Sequence, residues 1–267
     1  MATAQVTAIL NQKGGVGKTT TAINLGACLA AAGRRVLVVD MDPQANCTSG
    51  LGMGSADGKT IYDVLVDGVD MAEAVRPTRV EGLAAVPSTI DLAGAEVELV
   101  TAIARESRLR EALRGVSDRF DYILLDTPPS LGLLTVNCLT GARWVLIPIQ
   151  CEYYALEGLA QLGRTVGLVE KHLNPGLRLM GVVLTMFDGR TKLSREVAER
   201  VRERFGARVF EAVIPRSVRL SESPSYGQPI IVYDPRSKGA EAYTELAKEV
   251  MRIGDETQGT GVADPAD

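Results

Sequence analysis

Residues 11–20 read Asn-Gln-Lys-Gly-Gly-Val-Gly-Lys-Thr-Thr, and no other stretch constrains the chain as much. An apolar run, Val6 to Leu10, leads into them, and an alanine- and leucine-rich stretch from 19 to 32 leads out and stops at Gly33. Strand, glycine-rich turn and helix together aim backbone N–H groups and a helix N-terminus at a phosphate. The turn closes on Gly17-Lys18-Thr19, where the lysine suits β- and γ-phosphates and the threonine hydroxyl suits Mg²⁺. The start departs from the common pattern G-x-x-x-x-G-K-[ST]. Gln12 stands where glycine is usual, and a second lysine, Lys13, precedes Gly14-Gly15. One cation is enough to hold a triphosphate, so Lys13 invites a separate explanation.

Two more apolar runs end in carboxylates. Arg35 to Asp40 is followed by Met41-Asp42-Pro43-Gln44, and Asp121 to Asp126 by Thr127-Pro128-Pro129. An aspartate at the C-terminal end of a parallel strand, beside a phosphate loop, is placed to act on Mg²⁺ or its waters. The plainer alternative is that each caps the next helix.

Strand-like runs lie near 6–10, 35–40, 83–86, 121–126, 143–149, 177–185 and 209–214. Helical patterns lie near 19–32, 91–114 (broken), 132–141, 154–172, 192–205 and 237–252. The alternation predicts an α/β fold in one domain, a P-loop type with a mostly parallel, twisted sheet and helices on both faces. Residues 50–90 are irregular, with short helices expected around Ile61 to Leu65 and Met71 to Val75. The domain is expected to span 1–253, leaving 254–267 as a polar, acidic, disordered tail. The hydrophobic fraction of 46% supplies a sizeable core, built mostly from aliphatic residues because aromatics make up only 4%.

A formal net charge of −4 excludes a generally basic coat. The charge is nonetheless uneven, with nine Lys and Arg against five Asp and Glu from Asp188 through Arg219. Arginines at turns suit phosphate contact, whereas a solvated, salt-bridged face is the alternative over Glu196 to Arg208. The four cysteines form no C-x-x-C pair, which points to reduced thiols in a cytoplasmic protein rather than a zinc site. The single histidine, His172, ends a helix-like stretch and suits a surface or capping position. No secretory leader is visible, and no run reaches the roughly 18 apolar residues of a membrane span.

K-G-G-V-G-K-T-T at 13–20, V-D-M-D-P-Q-A-N at 39–46 and I-L-L-D-T-P-P-S at 123–130, in that order, resemble the ParA/Soj group of deviant Walker ATPases, relatives of MinD. The likeness runs from about residue 5 to about 252. It implies a cytoplasmic, nucleoid-associated ATPase that uses ATP and Mg²⁺ to partition chromosomes or plasmids. Lys13, Gly14, Gly15, Val16, Gly17, Lys18, Thr19 and Thr20 would hold the phosphates, with Pro215 and Arg216 at the adenine. Thr19 would ligate Mg²⁺ and Asp126 would hold it through water. Asp40 would support the metal or pair with a lysine. Asp42 would orient the attacking water, and Lys13 would reach the partner's ATP across a nucleotide-sandwich homodimer. By the same resemblance the ATP dimer binds double-stranded DNA without sequence preference. Arg190 in F-D-G-R-T and Arg219 in I-P-R-S-V-R would carry that contact, with Lys192 and Arg216 as further candidates. A ParB/Spo0J-type centromere-binding protein would speed hydrolysis and release the DNA. The chain starts almost at its first strand, like the short chromosome-type members. Two other readings are a MinD-like membrane-cycling ATPase and a metabolic P-loop enzyme. An acidic C-terminus in place of a basic amphipathic helix argues against the first. No visible motif for a second substrate argues against the other.

Overall fold

The apolar runs that carry the motifs become the middle of a sheet, because strands covered on both faces must be apolar throughout. The computed structural model describes residues 4–54, 58–152 and 159–259. In chain order the strands are β1 (Gln5–Ile9), β2 (Val36–Asp40), β3 (Arg76–Pro77), β4 (Leu83–Val86), β5 (Tyr122–Asp126), β6 (Trp144–Gln150), β7 (Arg178–Phe187) and β8 (Val209–Pro215). They form one sheet in the order β3-β4-β2-β5-β1-β6-β7-β8. Every pairing is parallel except that of the short edge strand β3 with β4. In β1, β2 and β5 every residue is buried.

The helices are α1 (Lys18–Ala31), α2 (Asn46–Gly50), α3 (Met71–Ala74), α4 (Leu92–Glu98), α5 (Arg108–Arg114), α6 (Leu133–Gly141), α7 (Leu159–His172), α8 (Lys192–Phe205), α9 (Val218–Glu222), α10 (Ile230–Tyr233) and α11 (Lys238–Gly259). Side chains of α1, α9, α10 and α11 share one buried cluster, and those of α4 to α8 share another. The sheet therefore has a helical layer on each face, as the alternation predicts. Two differences from the sequence reading stand out. The short elements β3, α2, α9 and α10 are additions. The closing helix runs past the expected boundary at 253 to Gly259, where Asp255 lies 3.8 Å from Arg34. The first part of the helix expected over 154–172 lies outside the described residues, as does the chain beyond 259.

Sheet register sets up the site. Ile9 pairs with Asp126 across β1 and β5, and Asp40 pairs with Asp126 across β2 and β5. Three neighbouring strands thus end level, and the loops after them share one edge.

Candidate active site

The loop after β1 is pinned at both ends. Asn11 Nδ2 donates to the Pro148 carbonyl (2.7 Å), and its Oδ1 accepts the Lys13 amide (3.0 Å). Thr185 Oγ1 donates to the Val16 carbonyl (2.8 Å), while the Val16 side chain is buried as an anchor. Gly15 and Gly17 take φ of +73° and +93°, which side chains with a Cβ rarely adopt. These bends curl the backbone around a cavity of about 650 Å³ lined by Gly14, Gly15, Gly17, Lys18, Thr19 and Asp42. A second cavity of about 400 Å³ adjoins it, sharing Gly17, Thr20 and Met186 and adding Pro215, Arg216 and Tyr243. All the residues expected at the phosphates and the base, save Lys13 and the anchored Val16, line one cavity or the other.

Lys18 is buried, with Nζ donating to the Lys13 carbonyl (3.3 Å). Burial lowers its pKa, and the charges of Asp126 and Asp42 oppose that shift. Asp126 is fully buried, and neither carboxylate oxygen has a hydrogen-bond partner among the described residues. Burial, then the charge of Asp40, pushes its pKa well up, while Thr19 and Lys18 pull the other way. An ionised carboxylate without donors is costly in such a place. It is the residue of this site that most needs a cation. Among the described residues no cluster of His, Cys, Asp and Glu side chains could hold a metal unaided. A Mg²⁺ that keeps waters and phosphate oxygens as ligands needs only a hydroxyl and a carboxylate from the protein, which Thr19 and Asp126 supply.

Asp40 is organised differently. Its Oδ2 accepts the Thr48 amide (2.8 Å) and hydroxyl (2.6 Å), and its Oδ1 accepts the Asp42 amide (3.1 Å). Burial raises its pKa to about 6 despite these donors. It forms no ion pair with Lys13 or Lys18, so that half of its expected role is corrected. Its oxygens fix the loop that carries Asp42. Asp42 itself accepts the Gln44 amide at Oδ1 (3.0 Å) and faces the larger cavity.

An AAA domain family model matches residues 4–179. The sporulation initiation inhibitor protein Soj of Bacillus subtilis is 59% identical over 94% of this chain and 99% of its own length. The chromosome partitioning protein ParA of Myxococcus xanthus is 55% identical over 93% and 88%. The chain belongs to the ParA/Soj family. A solved structure named cobyrinic acid a,c-diamide synthase from Mycobacterium smegmatis, with bound ATP analogue and magnesium, superposes with a TM-score of 0.84. It is 40% identical and covers 95% of this chain and 97% of its own.

In this ParA/Soj chain the charged rim around the cleft is heavily paired. Lys13 Nζ lies 3.6 Å from Glu152 and donates to Gln150 Oε1 (3.4 Å). Arg216 meets the same Glu152 at 3.3 Å. Arg190, with its side chain 90% exposed, grips Asp188 through Nε (2.9 Å) and a terminal nitrogen (2.8 Å). That grip lowers the Asp188 pKa to about 2. Arg219 meets Glu222 (3.1 Å) and Asp234 (3.6 Å), and Lys192 meets Glu196 (3.5 Å). The positive excess read from 188–219 is therefore offset by carboxylates, three of which, Glu152, Glu222 and Asp234, lie outside that segment. Sequence reasoning missed Glu152, Thr48, Thr185 and Tyr243. Glu152, Thr185 and Tyr243 act through partners far away along the chain, and Thr48 reaches back to Asp40 across a turn, so no local motif marks them.

Proposed function

We propose that the chain is a DNA-partitioning ATPase whose ATP-bound form is a sandwich dimer. The observation that carries the ATPase reading is a buried Lys18 lining a glycine-turned cradle, under the charge of a fully buried Asp126 whose oxygens have no hydrogen-bond partner among the described residues. The family membership, over nearly the whole chain, supports the partition role. Lys18 and the loop amides hold the β- and γ-phosphates. Thr19 and, through water, Asp126 hold Mg²⁺, which neutralises charge on the phosphate oxygens when bound. Asp42 orients a water for in-line attack on the γ-phosphorus, giving ADP and phosphate. The purine lies in the second cavity, against Pro215 and Arg216. Lys13 sits outside its own cavities, on the rim, as suits a cation offered to a second subunit's ATP. The closed dimer holds duplex DNA through summed phosphate contacts at Arg190 and Arg219, helped by Lys192 and Arg216. A ParB-type partner speeds hydrolysis and so opens the dimer.

The test is Asp42→Ala. Turnover should fall by about 10²–10⁴ while ATP affinity stays within a few-fold. With ATP the variant should elute as a dimer and be retained on unrelated duplexes. Undiminished turnover, or a monomer that ignores DNA, would remove Asp42 from this role.

A further inference from the structure

Met186 bends the wrong way for a strand. It lies inside β7, yet its φ is +50°, in the left-handed region that residues with a Cβ avoid. Among the described residues two other non-glycines share that sign, Ala45 and Ala104, and each sits just before a helical turn. Met186 has no such excuse, because Phe187 follows it and still pairs with Pro215 of β8. The register shows what the bend does. From Leu184, opposite Val213, to Phe187, opposite Pro215, β7 takes three steps while β8 takes two. One residue of β7 is extra, which makes the place a bulge. Bulges are rare between parallel strands and gather beside active sites.

Both neighbours of Met186 are tied down. Thr185 Oγ1 donates to the Val16 carbonyl of the phosphate loop (2.8 Å), and the Thr185 carbonyl accepts the Cys151 amide (3.1 Å). The Phe187 carbonyl accepts the Arg216 amide (3.0 Å). Left-handed strain persists where contacts on both sides over-determine it. Met186 itself lines both cavities, the one around Lys18 and the one with Pro215 and Arg216. A straight β7 would lose the extra step, and Met186 would replace Phe187 opposite Pro215. A one-residue slip turns every side chain to the other face. The Arg216 amide would lose its acceptor, and the base wall would shift against the phosphate loop.

We propose that Met186 is a positioning residue of the nucleotide site, its left-handed bend holding the base wall at Pro215 and Arg216 in register with the phosphate loop. The role belongs to the backbone and not to the thioether. A nucleotide spanning both cavities finds the spacing ready-made, whereas a relaxed strand would have to be bent at the expense of binding. This role rests on the reading of the two cavities as one nucleotide site.

The experiment compares ADP, which spans both cavities, with pyrophosphate, which fills only the phosphate half, by calorimetric titration of the full chain with Mg²⁺. Met186→Val and Met186→Ile put β-branched residues where φ is positive, which they resist most. Each should weaken ADP binding about tenfold and leave pyrophosphate binding within about twofold. Met186→Gly and Met186→Asn accept the left-handed region and should bind ADP within about threefold of the wild type. Unchanged ADP affinity in the β-branched variants would overturn the proposal. So would a loss in the glycine and asparagine variants as large as in the β-branched ones, since the side chain would then be what matters. An equal loss for pyrophosphate would also overturn it, because the bend would then serve the phosphate loop alone. If the β-branched variants fail to fold, the other two decide: retained ADP affinity upholds the role and a tenfold loss removes it. A wild-type chain that binds ADP no tighter than pyrophosphate would instead take the base out of the second cavity, a failure of the underlying reading that no Met186 variant produces.

Discussion

The cradle around Lys18 and the arginine rim around Arg190 are both charged, and they are built on opposite terms. In the cradle, charges are buried and left short of partners. Among the described residues neither oxygen of Asp126 has a hydrogen-bond partner, and burial raises the Asp40 pKa to about 6 although it holds donors. In the rim, charges are exposed and Arg190, Lys192, Arg216 and Arg219 each meet a carboxylate. A region left unbalanced without its ligand binds one thing tightly, because ligand charge relieves a cost already present. A self-paired region binds loosely, because each contact replaces one that water screens anyway. Glu152 is where the two meet, since it takes Lys13 from the cradle side and Arg216 from the base side.

The comparison breaks most decisively at Lys18. Lys18→Ala removes the only buried lysine among the described residues that faces the phosphate cavity. ATP affinity should fall at least about a hundredfold, since charge-assisted bonds to the phosphates are the strongest the loop offers. Calorimetric titration measures it. Wild-type affinity in this variant would mean that the cradle is not the nucleotide site.

Next in size is the cost the cradle bears without ligand. The folded-state pKa of Asp126 is raised above its ordinary 3.8, so ionising it destabilises the fold. The penalty is absent below about 3.8, where both states are protonated, and grows as pH rises through the folded value. Asp126→Asn removes it. In the absence of nucleotide the variant should melt higher than the parent at pH 7.5, by about 3–6 °C. The gain should fade as the pH is lowered and the native carboxyl takes up its proton. With Mg²⁺ and ATP present the order should reverse, because the parent alone gains the metal. A variant that melts lower than the parent at pH 7.5 without ligand would show that Asp126 is not under strain.

The same contrast explains what could be read from the sequence. The unit β1–loop–α1 was legible because its pattern is local: an apolar run, glycines and then an alanine-rich helix. Asp126 and Asp42 were legible because the first closes a buried strand and the second stands two residues beyond the end of another. Helix α2 was not, since Asn-Cys-Thr-Ser-Gly has poor helix formers and is held by Thr48 bonding back to Asp40. The edge strand β3 is two residues long, too short to leave any alternation. The rim misled for a related reason. A segment count found excess lysine and arginine, while the compensating Glu152 and Asp234 come from chain positions far outside it.

Smaller effects belong to the rim. Arg190→Ala and Arg219→Ala, combined in the ATP-locked Asp42→Ala background, should weaken duplex binding without changing ATP affinity. Each lost phosphate contact should remove roughly 0.9 from the slope of log K against log salt, and a dimer presents every arginine twice. Binding across a salt series measures both. If the variant matches its parent in affinity and slope, the DNA surface lies elsewhere.

The smallest effect, and the sharpest test of the rim, is Asp188→Asn. In the structure Asp188 holds the Arg190 guanidinium through both oxygens, and its Oδ1 also accepts the Arg190 amide (3.1 Å). Asparagine keeps an oxygen for that amide, so the turn into α8 should survive while the charge is lost. If Arg190 must leave Asp188 to reach a phosphate, the substitution removes the competitor, and DNA should bind tighter by about two- to fivefold, the scale of an exposed ion pair. The gain should be largest at low salt, where the pair is least screened, and should vanish when Arg190→Ala is added. ATP affinity and dimer formation should not change, because the pair lies outside both cavities. Tighter binding that persists in the Arg190→Ala background would mean that Asp188 repels DNA directly rather than by holding Arg190. No change at any salt would mean that the pair stays closed in the DNA complex and that other cations make the contact.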